Sequence, residues 1–395
     1  MQVVTLPPGP VPISAISEPA SPAGLTRRER WTLGALTALY AALVIQVGIN
    51  KGADLEIHLE QARLLLSHQA VYTTQPPFGV WWPPFGLLVV APFAFLANWS
   101  MALAKASFAI ASVACLAYAI ARTRSDAATR AAVLLALAAV AVPLQTNFEY
   151  QNLNAPLLAL LVASAVALRG GHETRAAIGI GVMSALKGFP ALLLVYFVYR
   201  GRWRGLGVAV ATAALLTLAA VLPAGPTDGA AVLERWIRMG LTGVADMRGR
   251  SQSLPALLFQ LGTPPAWAAA LELVVLAGVV WMLRRRADDP AAELAVLMLL
   301  AVFLSPVAHT HYYMLAYPAW LVALERRAPV PSRAIWCAGL AVAGVLTSGF
   351  LTLGRYEWRR SLLATAPYAW GAVLLLVLLL IPQRDQGSPA AGGPA

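Results

Sequence analysis

The side chains able to do chemistry are few and gather in a handful of short stretches. In the first, Asp54, Glu56, His58, Glu60, Gln61 and His68 stand within fifteen residues. Asp54, His58 and Gln61 recur at i, i+4 and i+7, so a helix there carries a polar stripe beside an apolar face of Leu55, Leu59, Ala62 and Leu66. Asp54 at the start of that helix suits either a cap for free amides or a catalytic carboxylate. Lys187 lies inside an apolar stretch, where a charge is costly and marks a functional candidate. An ammonium there could hold a phosphate, or it could snorkel to carbonyls freed by Pro190. Arg235, Arg238, Arg248 and Arg250, with Gln252 between Ser251 and Ser253, sit on a long segment that otherwise has no reason to be basic. A lipid phosphate is their natural partner, and a solvated surface is the alternative. His309 and His311 could ligate a metal, although no third ligand of suitable spacing accompanies them. They could equally contact a phosphate or stabilise a leaving group.

Two further stretches supply shape. Asn147, Glu149, Gln151, Asn152 and Asn154 could line a hydrated cavity, or Asn152 or Asn154 could cap the helix that follows. Tyr72, Trp81 and Trp82, ahead of Pro83-Pro84, form either a wall for a sugar ring or headgroup, or an interfacial aromatic belt before a proline helix start.

What must position these residues is a membrane bundle. The chain has 395 residues, 59% of them hydrophobic and 12% charged, about half the charged share of an ordinary soluble protein. A soluble globular enzyme is excluded. The net charge of +11 suits cytoplasmic loops better than nucleic acid, since Arg27–Arg30, Arg200–Arg204 and Arg284–Arg286 each flank an apolar run. Residues 1–26 and 384–395 read as disordered tails, and 27–383 as one transmembrane domain with outer loops 51–83 and 223–264. No cleavable signal peptide is expected. Cys115 and Cys337 fall in apolar runs and are expected as buried thiols without chemistry. No HExxH, CxxC or GxGxxG motif occurs, and no cofactor is expected.

Apolar runs recur from Trp31 to Ile381. Taken with the positive-inside trend they predict an all-α polytopic protein of about twelve spans, both ends cytoplasmic. Run 84–97 is short and is expected as a short or re-entrant helix. Run 175–200 should break at Lys187-Gly188-Phe189-Pro190.

In order along the chain, these stretches resemble the membrane-embedded glycosyltransferases of the GT-C class, and within it glycosyltransferase family 87. Trp82-Pro83-Pro84 resembles that family's Tyr-Pro-Pro element. Gln151-Asn152-Leu153-Asn154 resembles its Gly-Gln-x-Asn, with Gln in place of Gly and Asn in place of Gln. Leu186-Lys187-Gly188-Phe189-Pro190 matches Leu-Lys-x-x-Pro. Ser251-Gln252-Ser253 resembles Asn-Gln-Ser, and Ser305-Pro306 with His311 resembles Ser-Pro-x-x-Trp-x-His, with His309 at the Trp position. The resemblance implies an inverting transferase that moves a sugar, mannose before arabinose, from a polyprenyl-phosphate donor to a glycolipid or glycan acceptor. It implies a bacterial cell-membrane protein working among membrane lipids, without nucleic acid. Asp54 takes the role of general base, with Glu56 and Glu60 as alternatives. Lys187, His309, His311, Arg248, Arg250, Gln252, Asn152, Asn154, His58 and Trp82 are expected to bind substrate. A transporter or flippase of lipid-linked sugars is the leading rival, and a non-catalytic scaffold is another. A shared active site requires Asp54, Lys187 and His311 to converge, which neither rival needs.

Overall fold

The computed structural model describes residues 27–73, 82–123, 127–242, 251–286, 289–326 and 333–381. Among them there is no β-strand. The chain runs through α1 (Arg27–Asn50), α2 (Ala53–Leu66), α3 (Pro84–Trp99), α4 (Met101–Thr123), α5 (Ala127–Ala139), α6 (Ala141–Tyr150), α7 (Asn154–Arg169) and α8 (Glu173–Leu186). A 3-10 turn, Phe189–Leu193, enters α9 (Leu194–Tyr199), followed by α10 (Trp203–Val221), α11 (Gly225–Thr242), α12 (Leu254–Gln260), α13 (Pro265–Arg284) and α14 (Pro290–Phe303). A longer 3-10 stretch, Thr310–Ala316, leads into α15 (Tyr317–Glu325), α16 (Arg333–Ser348), α17 (Tyr356–Leu363) and α18 (Pro367–Leu380).

Among the described residues three helices are long and apolar enough to cross a membrane: Met101–Arg122, Trp203–Val221 and Pro265–Arg284. Three bent pairs raise the number to six if each is one span: Gly34–Asn50 with Ala53–Leu66, Arg130–Ala139 with Ala141–Tyr150, and Tyr356–Ala364 with Pro367–Leu380. Three to six candidate spans therefore stand where the sequence alone suggests about twelve. Pro84 opens α3, as its fixed φ favours. The apolar stretch Arg130–Tyr150 bends by 62° at Val140. Pro143 has no N–H to give the Ala139 carbonyl one turn back, and the Thr347 hydroxyl donates to that carbonyl instead, at 3.0 Å.

Two apolar helices take opposite places. In α14 every residue from Ala292 to Phe303 is buried, so it forms the axis of the bundle. In α13 only Val279 and Leu283 are buried, while Trp267, Leu273, Val274 and Trp281 are exposed, as suits a helix facing hydrocarbon. Segment 223–264, expected as a loop, carries helices α11 and α12. Ser253 starts α12 by accepting from the Ala256 N–H, with Pro255 in its first turn. Cys115 is half-buried and Cys337 exposed, which corrects the expectation of two buried thiols: Cys115 packs only partly against the core, and Cys337 rides on an outward face of α16.

Candidate active site

Run 175–200 breaks where expected. α8 ends at Leu186, Lys187 takes an extended conformation (φ −149°, ψ 123°), and the 3-10 turn from Phe189 follows. The break leaves the Lys187 side chain 3% exposed. Its Nζ donates to Asn152 Oδ1 at 2.7 Å and to Asn154 Oδ1 at 3.0 Å, and stands 3.7 Å from the centroid of the Tyr312 ring. Both amide partners are neutral, so the hydrogen bonds are satisfied while the positive charge is left uncompensated by them.

Asn152 and Asn154 owe their position to the end of α6. Gln151 closes that helix in the left-handed region (φ 57°, ψ 63°), a conformation glycine adopts without strain and other residues rarely do. The glycine of the family motif falls at this residue, and here Gln151 offsets the strain by donating from Nε2 to the Lys105 carbonyl at 2.8 Å. The chain reversal turns both asparagines toward Lys187. Asn154 Nδ2 also donates to the His311 carbonyl at 3.1 Å, tying α7 to the 3-10 stretch.

Asp54 approaches from the other side. α2 turns 59° away from α1 at Gly52, which is left-handed (φ 48°). A Cβ at Gly52 would lie 2.8 Å from the Gly48 carbonyl oxygen and 2.9 Å from both Gln151 Oε1 and Lys105 Cε, so the elbow admits only glycine without rearrangement. Asp54 Oδ2 accepts from Asn152 Nδ2 at 3.0 Å. Asn152 thus bridges the carboxylate and the ammonium. His311 Nε2 lies 3.9 Å from the same Asp54 oxygen, buried and without a hydrogen-bond partner. The Asp54 side chain is 28% exposed and that of His311 3%, so the carboxylate is the open side of the cluster. Burial raises the Asp54 pKa above the ordinary aspartate value, opposed by the Asn152 hydrogen bond and by Lys187.

An aromatic wall flanks the carboxylate. The His58 and Trp82 rings stack at 3.5 Å, and the Tyr72 hydroxyl donates to the Trp82 carbonyl at 2.7 Å. Burial, and then the Lys187 charge, push the His58 pKa well down, so its imidazole is neutral. His309 sits beside His311, with ring centroids 5.6 Å apart. Gln252 is held by backbone: its N–H donates to Ala308 O at 2.7 Å, its Nε2 to Leu363 O at 2.9 Å, and its carbonyl accepts from the Tyr313 hydroxyl.

Asp54, Asn152, Asn154, Lys187 and His311 therefore meet in one cluster, with His58, Trp82 and His309 at its edge. Arg248 and Arg250 lie outside the described residues, as does Trp81. Several expectations need correction. Asp54 caps nothing: Gly52 is the cap residue and α2 has no side-chain cap. Neither Asn152 nor Asn154 caps α7, whose cap residue is Leu153, because both amides are committed to Lys187. Lys187 does not snorkel, and Trp82 is buried rather than part of an interfacial belt. On α2 the buried face uses Leu65 in place of Leu66.

Sequence reasoning missed Lys105 and Tyr312. Lys105, buried on α4, donates to the Lys51 carbonyl at 3.0 Å and pairs with Glu56, while Lys51 pairs with Glu149. These contacts clamp the elbow that carries Asp54. They also occupy Glu56, and Glu60 faces Arg63 at 3.4 Å, leaving Asp54 as the carboxylate aimed at the cluster. A buried lysine early in an apolar helix was the available signal. Tyr312 gave none, being one tyrosine in a Tyr-Tyr pair.

The sequence profile of glycosyltransferase family 87 matches residues 81–306. A polyprenol-phosphate-mannose-dependent alpha-(1-2)-phosphatidylinositol mannoside mannosyltransferase of Mycolicibacterium smegmatis is 30% identical, over 80% of this chain and 79% of its own length. The protein of the same description from Mycobacterium tuberculosis is 25% identical, over 90% of this chain and 92% of its own. An alpha-(1->3)-arabinofuranosyltransferase of Mycobacterium tuberculosis is 26% identical, over 76% and 71%. No solved structure matches the chain.

Proposed function

We propose that this chain, which belongs to glycosyltransferase family 87, transfers a sugar with inversion from a polyprenyl-phosphate donor to a glycolipid or glycan acceptor at the outer face of a bacterial cell membrane. The observation that carries the reading is the bridge Asp54–Asn152–Lys187 with His311 Nε2 3.9 Å from the carboxylate. Two hydrogen bonds of ordinary length, about 2.8 Å, close a triangle on that 3.9 Å base, so one hydroxyl oxygen fits against both groups. The acceptor hydroxyl is placed there. Its oxygen attacks the anomeric carbon, its proton passes to Asp54, and the bond from that carbon to the phosphate oxygen breaks, its electron pair leaving with the polyprenyl phosphate. One base suffices because the phosphate is already a good leaving group.

Negative charge grows on the departing phosphate, and a preorganised cation in a site of low dielectric stabilises it. Lys187 is that cation, with the basic residues of segment 243–250 as further candidates. The buried stack of His58 on Trp82 is read as the wall beside the sugar site. Gln252 and His309 stand on the neighbouring backbone as binding residues. Mannose is the favoured sugar and arabinose the next, following the names of the relatives. The protein is read as a multi-pass inner-membrane protein of about twelve spans, to which the shorter apolar helices such as α3, α7 and α14 contribute. Residues 27–383 are read as one domain.

The test is a donor panel. Membranes containing the chain are supplied with labelled mannosyl, arabinosyl, glucosyl and galactosyl polyprenyl phosphates and a glycolipid extract. Transfer from the mannosyl donor, lost in Asp54→Asn, is expected. Transfer from none of the donors would reject the reading.

A further inference from the structure

The far end of α7 carries a second concave site. α7 runs from Asn154, in the cluster above, to Arg169, roughly 22 Å away at 1.5 Å per residue. There α4, α7 and α8 line an open groove of about 840 Å³. Its shaft is apolar, walled by Leu160, Ala163, Val166 and Val182, with Ile178 44% exposed at its open side. Its mouth carries Arg122, Arg169, Arg175 and His172. A polar basin of about 380 Å³ adjoins it, sharing His172 and Arg175 and adding Arg204 and the first turn of α8. An apolar shaft and a cationic basin that share two residues form an amphiphile-shaped site.

The charge around it is only partly compensated, although Glu173 also lines the basin. Arg169 pairs with Asp289 at 3.3 Å, and Glu173 is approached by Arg202 at 4.0 Å. Among the described residues no carboxylate pairs with Arg122, Arg175 or Arg204. Topology alone accounts for arginines at a membrane face, but not for three unpaired ones around the opening of an apolar shaft. The free amides at the start of α8 add donors and a favourable dipole for an anion.

We propose that this groove binds one anionic glycerophospholipid, its phosphate at Arg175, with Arg122 on the mouth and Arg204 in the basin, and an acyl chain in the shaft. The site is separate from the sugar-transfer site and does not depend on how that site is read. The lipid ties α4, α7 and α8 together at the end opposite the catalytic cluster. Guanidinium groups suit phosphate through paired N–H donors.

The probe is phosphatidylglycerol added to the purified full-length chain in detergent and read by native mass spectrometry. One retained phosphatidylglycerol is expected, at least tenfold tighter than phosphatidylcholine. Arg122→Gln with Arg175→Gln should weaken it at least tenfold, and Ala163→Phe, which fills the shaft and leaves the charge alone, should also weaken it. Millimolar inorganic phosphate should not displace the lipid; displacement would mean an anion site without a lipid seat and would overturn the proposal. So would equal retention of the neutral lipid, or unchanged binding in both variants. A photoactivatable phosphatidylglycerol on the unmodified chain needs no variant to fold. Crosslinks within 160–182 are expected, and crosslinks confined to other segments would sink the idea.

Discussion

Two carboxylates of this bundle, Glu293 and Asp54, are treated in opposite ways. Glu293, at the start of α14, is 3% exposed and accepts from the Arg200 guanidinium, from the Tyr199 hydroxyl at 2.5 Å and from the Asp289 N–H at 3.2 Å. Asp54 accepts one amide N–H and is kept from its nearest cation by the width of Asn152. In the first case charge is cancelled by direct contact and every lone pair is used. In the second, an interposed neutral amide holds anion and cation close without neutralising either. A saturated pair is a structural fastening; an unsaturated one still has capacity for a ligand.

The comparison can be broken most decisively at Asp54. Asp54→Asn should lower transfer by about 10²–10⁴-fold, the range for loss of a general base, with thermal unfolding of the purified protein little changed. Equal loss of fold and activity would make Asp54 another fastening. Next in size, Lys187→Met should lower the single-turnover rate by about 10²–10³-fold, as for loss of one transition-state stabiliser, again with the folded protein recovered. Glu293→Gln should do the reverse. Leaving Arg200 buried without its counter-charge costs about 3–5 kcal/mol, read as a lower unfolding temperature, while the turnover of surviving folded molecules stays near that of the parent.

The smallest effect sharpens the picture most. Because burial raises the Asp54 pKa, the acid limb of kcat/KM should lie above the ordinary aspartate range, with activity lost as pH falls through it and the base takes up a proton. The Asn152 hydrogen bond favours the ionised form. Asn152→Ala should therefore move the acid limb to still higher pH, measured as a shift of the kcat/KM profile. A shift toward lower pH would mean that the amide does not hold the carboxylate ionised.

Much of the catalytic cluster was legible because its members violate local rules. Lys187 is a charge in an apolar run, and Asp54 and His311 are polar groups at the ends of such runs. What stayed hidden was pairing across the chain. Asn152 and Asn154 have the types and positions of helix caps, and nothing local distinguishes a cap from an amide committed to a lysine more than thirty residues away. Arg200 reads as one of many face-marking arginines until α14 brings Glu293 against it. The fold shows the same limit. Apolar periodicity locates helices, but α13 and α14 are both mainly apolar, and which of them is enclosed depends on helices far away in sequence.

The Arg200–Glu293 contact also bears on how the chain is made. Synthesis runs from the N-terminus, so Arg200 is polymerised more than ninety residues before Glu293. The guanidinium is already made when the carboxylate appears, and Glu293 can be paired as α14 packs. A circular permutant opened between α10 and α13 would reverse that order. It would make Glu293 ahead of its partner, and the acid would stay unpaired until Arg200 followed, even though the finished fold would contain the same contact.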